Sequence, residues 1–112
     1  MEFTPLEKDV LAWIASHAGD PTLAEQLKSA QPHSREFTGV GSFTVLKVSP
    51  GLPDVGYRVA PIDPHIESPQ IQEGAGGAGV VLFCDGGQAS LLEFYTFGSM
   101  VFPECLAEWT LS

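Results

Sequence analysis

Positive charge is scarce in this chain. Five lysines and arginines stand against fourteen aspartates and glutamates, a formal net charge of −9 over 112 residues. Nucleic-acid phosphates and anionic membrane surfaces are held by clustered Lys and Arg, so neither is an expected partner. A basic protein is, because opposite charge speeds the encounter. Cysteine is scarce too. Cys84 and Cys105 are the only two, neither sits in a C-x-x-C, and no histidine stands at metal-ligand spacing from either. No metal and no cofactor is expected. Apolar runs stop well short of the roughly 18 residues that span a bilayer. The first residues lack the basic stretch and apolar core of a secretion signal. The expected location is the cytoplasm, with both thiols reduced.

Recognisable catalytic patterns are also missing, and a non-enzymatic protein is expected. His17, His33 and His65 fall in three separate segments with no nucleophile marked as a partner. No serine sits in a G-x-S-x-G elbow. Residues 74–79 match G-x-G-x-x-G. A dinucleotide site needs a strand before that motif and a helix after it. Here a proline-rich loop precedes and a strand follows, so the glycines read as a flexible entry to that strand.

What is present describes one α+β domain over residues 1–112. Thr4, Pro5 and Glu7 form a T-x-x-E capping box with proline in the first turn. Leu6, Val10, Trp13, Ile14 and His17 follow at helical spacing, and Gly19 suits a left-handed helix end. Asp20-Pro21 starts a second helix with Leu23, Ala24, Leu27 and Ala30 inward. The spacing predicts a helical hairpin over residues 5 to 30, packed on a mostly antiparallel sheet of four or five strands. Strand candidates are residues 43–48, 55–60, 80–84 and 91–97, with Asp85-Gly86-Gly87 as a tight hairpin turn. A short helical turn followed by a last edge strand is expected in the tail, with Pro103, Cys105, Leu106, Trp109 and Leu111. Residues 61–73, with three prolines, read as a long loop. Gly39 and Gly41 alternate in residues 36–44, a spacing that suits a bulge, strand curvature or close approach of another backbone.

Glu93 stands out inside the otherwise apolar run Leu91-Leu92-Glu93-Phe94-Tyr95-Thr96-Phe97. Alternation puts Leu91, Glu93, Tyr95 and Phe97 on one face. A carboxylate there must be paired, hydrogen-bonded or held at a surface, because burying it alone is too costly. Arg35 and Arg58, the only arginines, are its natural partners. The other reading is a partner-facing patch of Glu93, Tyr95 and Phe97. With Glu36 on a strand and Asp63, Glu67 and Glu73 in the long loop, Glu93 and Tyr95 complete the candidate partner-binding set.

Three segments, Arg35 to Thr44, Gly77 to Phe83 and Leu92 to Gly98, resemble a group of small bacterial proteins of unassigned function. Those share an E-x-T-G-x-G-F-x-T strand, a G-x-G-x-x-L-F strand and a closing L-E-x-[YF]-[TS]-[YF]-G. The likeness covers most of residues 4 to 98. Ser42 replaces the first aromatic of the usual pair, and Phe94 stands where glycine is common. The resemblance implies a bacterial, cytoplasmic α+β protein and brings no catalytic residues with it. The expected function is an acidic binding protein, specifically an immunity protein that neutralises a bacterial toxin. The alternative is a small-ligand-binding or enzymatic domain with a pocket around Glu93, Tyr95 and Arg58. A third is a subunit that dimerises through an exposed strand edge.

Overall fold

A computed structural model describes residues 1–71, 77–97 and 101–112. Two helices, α1 (Pro5–His17) and α2 (Pro21–Ser29), precede the sheet. Among the described residues the strands are β1 (Gln31–Phe37), β2 (Gly41–Lys47), β3 (Ile66–Glu67), β4 (Ala78–Asp85), β5 (Gln88–Thr96) and β6 (Thr110–Leu111). Every pairing is antiparallel, in the order β1-β2-β5-β4-β3-β6. The α+β class and the N-terminal helical hairpin agree with the sequence; the strand count of four or five is corrected to six. The strand β1 has the sequence QPHSREF, whose burial shows no period of two, so alternation passes over it. β3 and β6 have two residues each, too few to show any period.

Local chemistry explains the helix ends. Thr4 Oγ1 accepts from the Glu7 amide at 3.1 Å, and Glu7 Oε1 accepts from the Thr4 amide at 2.8 Å. Asp20 Oδ1 accepts from the amides of Thr22 and Leu23, opening α2 directly after α1. The turn between them passes through Gly19 at φ 66°, a conformation glycine adopts without cost. One face of the hairpin buries Leu6, Val10, Leu11, Ile14, Leu23 and Leu27 against Leu46, Val80, Leu82, Leu92 and Phe94 of the sheet. Each such aliphatic side chain contributes on the order of 2 kcal/mol by leaving water.

Gln26 pins α2 to the sheet. It is fully buried; its Nε2 donates to the carbonyls of Pro53 and Gly87, and its Oε1 accepts from the Ala89 amide, each at 2.9 Å. The β4–β5 turn is the tight hairpin read from the sequence, with Gly86 and Gly87 at φ 60° and 84° between the paired Asp85 and Gln88. Gly41 permits close approach of another backbone, since a Cβ there would stand 1.9 Å from the Phe94 carbonyl oxygen.

Residues 55–60 are not a strand. They run irregularly beside β4, touching it through a single bridge, Val59 to Phe83, with backbone bonds at Arg58, Ala60 and Val55. Gly56 and the nearby Pro53 and Pro61 interrupt what the apolar alternation suggested. Residues 61–71 include β3 rather than being loop throughout. The tail bends back without a helical turn: Phe102 stacks on Phe94, Trp109 Nε1 donates to Asp9 Oδ2 of α1 at 2.7 Å, and β6 pairs with β3. Among the described residues, no helix is long and apolar enough to cross a membrane.

Candidate functional site

Alternation divides the central strands into two faces. Ser42, Thr44, Leu46, Val80, Leu82, Leu92 and Phe94 point toward the helices and are buried. Phe43, Val45, Val81, Phe83, Leu91, Glu93 and Tyr95 take the intervening positions and point away. Directly opposed residues share a face, so the register writes out this second surface in rows. One row runs Val45–Leu91–Phe83–Val59. The next runs Glu36–Phe43–Glu93–Val81, and a third runs Gly41–Tyr95–Gly79.

Its apolar side chains belong neither to the buried core nor to the partly buried residues packed against that core, and Phe43, Val81, Phe83, Leu91 and Tyr95 are half-buried. Val45 is 37% exposed, Val59 43% and Phe97 42%. The upper end is aromatic. A Cβ on Gly79 would lie 2.3 Å from Tyr95 Cζ, so the phenol lies flat across β4 where only glycine leaves room. The Tyr95 ring meets Phe97 edge-on at 5.8 Å, and Phe97 stacks on His65 at 5.7 Å.

Glu93 is half-buried and Glu36 exposed. Among the described residues the one Lys or Arg ion pair is Glu7–Arg35, and Glu67 contacts the His65 ring, so neither Glu93 nor Glu36 has an ion pair. The pairing of Glu93 with Arg35 or Arg58 is therefore corrected. Arg35 sits opposite Thr44 in register, which turns it to the helix side. There it donates from Nε to Glu7 Oε2 at 3.0 Å and from Nη2 to Glu7 Oε1. Arg58 lies exposed in the irregular segment.

The other sequence candidates scatter. Glu67, on β3, accepts from His65 Nε2 at 2.8 Å and so borders the aromatic end of the open surface. Asp63 is half-buried, accepts from the Leu82 amide at the edge of β4, and leaves Oδ1 buried without a partner. Burial pushes its carboxyl above the usual range, against the Leu82 bond. Glu73 and the first half of the glycine-rich motif lie outside the described residues. The structure thus brings Glu36, Glu93 and Tyr95 together, with Glu67 at their rim, and leaves Asp63 apart.

A second polar cluster escaped the sequence reading. Glu7 is 1% exposed and holds Arg35 and the Thr44 hydroxyl as well as its own capping bond. Burial alone would push its carboxyl up; the bonds from Arg35, Thr44 and Thr4, with the Arg35 charge, outweigh that and hold it below the usual range. The signal was in the spacing: Glu7, Leu11 and Ile14 stand at i, i+4 and i+7, which sets Glu7 on the inward face. A cavity of about 100 Å³ beside this cluster is lined by Arg35, Phe37, Phe94, Phe102 and Cys105 among others.

Larger hollows of 560 Å³, between the helices, and 580 Å³, around Tyr57 and Arg58, also lie away from Glu93. Cys84 is buried, with its thiol pushed up by burial, and Cys105 is exposed. Among the described residues no three His, Cys, Asp or Glu side chains group as metal ligands would. No family model matches the chain, and no curated protein or solved structure matches it either.

Proposed function

We propose that this chain is an acidic protein-binding domain that neutralises a basic partner, in the manner of an immunity protein that covers a bacterial toxin domain. One observation carries the reading: a sheet face turned away from the helices whose centre is apolar and aromatic and whose embedded charges, Glu36 and Glu93, are both negative and without an ion pair among the described residues. Tyr and Phe with a buried apolar centre make good contact surfaces. A net charge of −9 steers a basic partner in and repels a second copy of the chain.

The test is capture of partners from a bacterial lysate with the tagged chain, at low and high salt, using Leu91→Asp on the open face and Glu25→Gln on the helix side as paired variants. The expected result is a basic protein whose capture weakens with salt, is lost with Leu91→Asp and is unchanged by Glu25→Gln. Co-expression of the chain should then relieve any toxicity of that protein. Capture indifferent to Leu91→Asp would overturn the reading.

A further inference from the structure

We infer that the partner is anchored by an arginine laid on the Phe43 ring between Glu36 and Glu93; the inference rests on the open face being the docking surface. The argument starts from register. Glu36, Phe43 and Glu93 are direct cross-strand neighbours on β1, β2 and β5. They point to the same side, with the two glutamate backbones two strand spacings apart, about 9.5 Å. An aromatic ring with a carboxylate on either flank is complementary to one chemical group above all. A guanidinium is planar and weakly hydrated, so it stacks on a ring while its edges donate to carboxylates on both sides. A lysine ammonium has neither the flat face nor the forked edges, and it holds its water more tightly.

The occupant is a different protein rather than a second copy. A self-complementary contact would bring −9 against −9 and set glutamates against each other; of the two arginines, Arg35 is committed to Glu7 on the opposite side and Arg58 lies outside the Glu36–Phe43–Glu93 row. The rows beside the seat define the rest of the contact. Val45, Leu91 and Phe83 ask for apolar neighbours on one side of the arginine, and Tyr95 offers an aromatic edge on the other.

Isotope-labelled chain, titrated with acetyl-Val-Arg-Val-amide and with the same peptide carrying citrulline, tests this by NMR. Citrulline keeps the shape and removes the charge. The arginine peptide is expected to shift the Phe43 ring and the Glu36 and Glu93 carboxyl signals, and to bind at least about ten-fold more tightly than the citrulline peptide. The advantage should shrink at 0.5 M salt. The double variant Glu36→Gln, Glu93→Gln should erase it, and Phe43→Leu should reduce it about three-fold. Neither glutamate makes a hydrogen bond within the described residues, so these variants keep the fold, checked by thermal unfolding. Equal binding of the two peptides, shifts elsewhere on the chain, or no shift at all would each overturn the arginine seat. The two readings separate cleanly. Capture that needs Leu91 yet survives the double glutamine variant retains the docking face and removes the seat, whereas capture indifferent to Leu91 removes both.

Discussion

The sheet has a glutamate neighbourhood on each face, Glu7 of α1 on one and Glu93 of β5 on the other, and they are opposites. On the covered face, the carboxylate of Glu7 takes bonds from Arg35, Thr44 and the Thr4 amide, and is sealed by α1. On the open face, Glu93 sits one residue from Leu92 and Phe94 in sequence yet has no ion pair among the described residues. Polar groups under the helices are satisfied because an unsatisfied one there would cost about 1–3 kcal/mol. On the open face a half-buried carboxylate still reaches water, which can satisfy it. Complete satisfaction identifies Glu7 as part of what holds the fold; Glu93, with no ion pair among the described residues, is the glutamate on which the docking proposal rests.

Matched substitutions across the sheet should break this symmetry sharply. Glu7→Gln leaves the Arg35 guanidinium without its counter-charge in a buried place, and is expected to cost about 3–4 kcal/mol. Glu93→Gln should cost less than about 0.5 kcal/mol, the range for a surface change. Urea titration of both variants measures the difference directly, and comparable losses would erase the distinction between the two faces. Leu92→Ala and Leu91→Ala repeat the contrast with adjacent apolar residues. Leu92 is fully buried, and its truncation is expected to cost about 3 kcal/mol. Leu91, half-exposed on the open side, should lose under about 1 kcal/mol. Gln26→Ala falls between, near 2 kcal/mol, because it strands the Gly87 and Pro53 carbonyls and the Ala89 amide together.

Sequence disclosed these two faces unequally. The helical hairpin was legible because its punctuation is local: a capping box at Thr4, a glycine at 19, an Asp-Pro restart. The face assignment of Glu93 and Tyr95 was legible because strand alternation is strictly two-fold. What surrounds them was not. Sequence offered Arg35 as a partner for Glu93; the β1–β2 register instead places it opposite Thr44, beside Glu7, and register is a long-range property. The strand β1 itself is a polar edge whose only buried residue is Pro32, so it carries no pattern to read. Residues 55–60 show the reverse failure: apolar alternation present, but Gly56 and flanking prolines prevent a ladder.

Acid titration sharpens the comparison on a finer scale. The folded carboxyl of Glu7 lies below its ordinary value of 4.5, so it binds a proton less readily folded than unfolded. Its contribution is full above that value and is lost as pH falls through and below it. Wild type should therefore lose stability on acidification from about pH 4.5, and Glu7→Gln should show a flatter acid limb in urea midpoints. Asp63 runs the other way. Burial holds its folded carboxyl above its ordinary 3.8, so it opposes folding at neutral pH and ceases to as pH falls through the folded value toward 3.8. Asp63→Asn keeps an oxygen for the Leu82 amide and removes a charge whose Oδ1 has no partner. The expected gain is small, about 1–2 °C in the thermal midpoint at pH 7, because half of the side chain remains screened by water. That gain should vanish near pH 3.5, where the wild-type carboxyl is itself protonated. A loss at pH 7 instead would mean that the charge of Asp63 stabilises the edge of β4, and it would move Asp63 into the same class as Glu7.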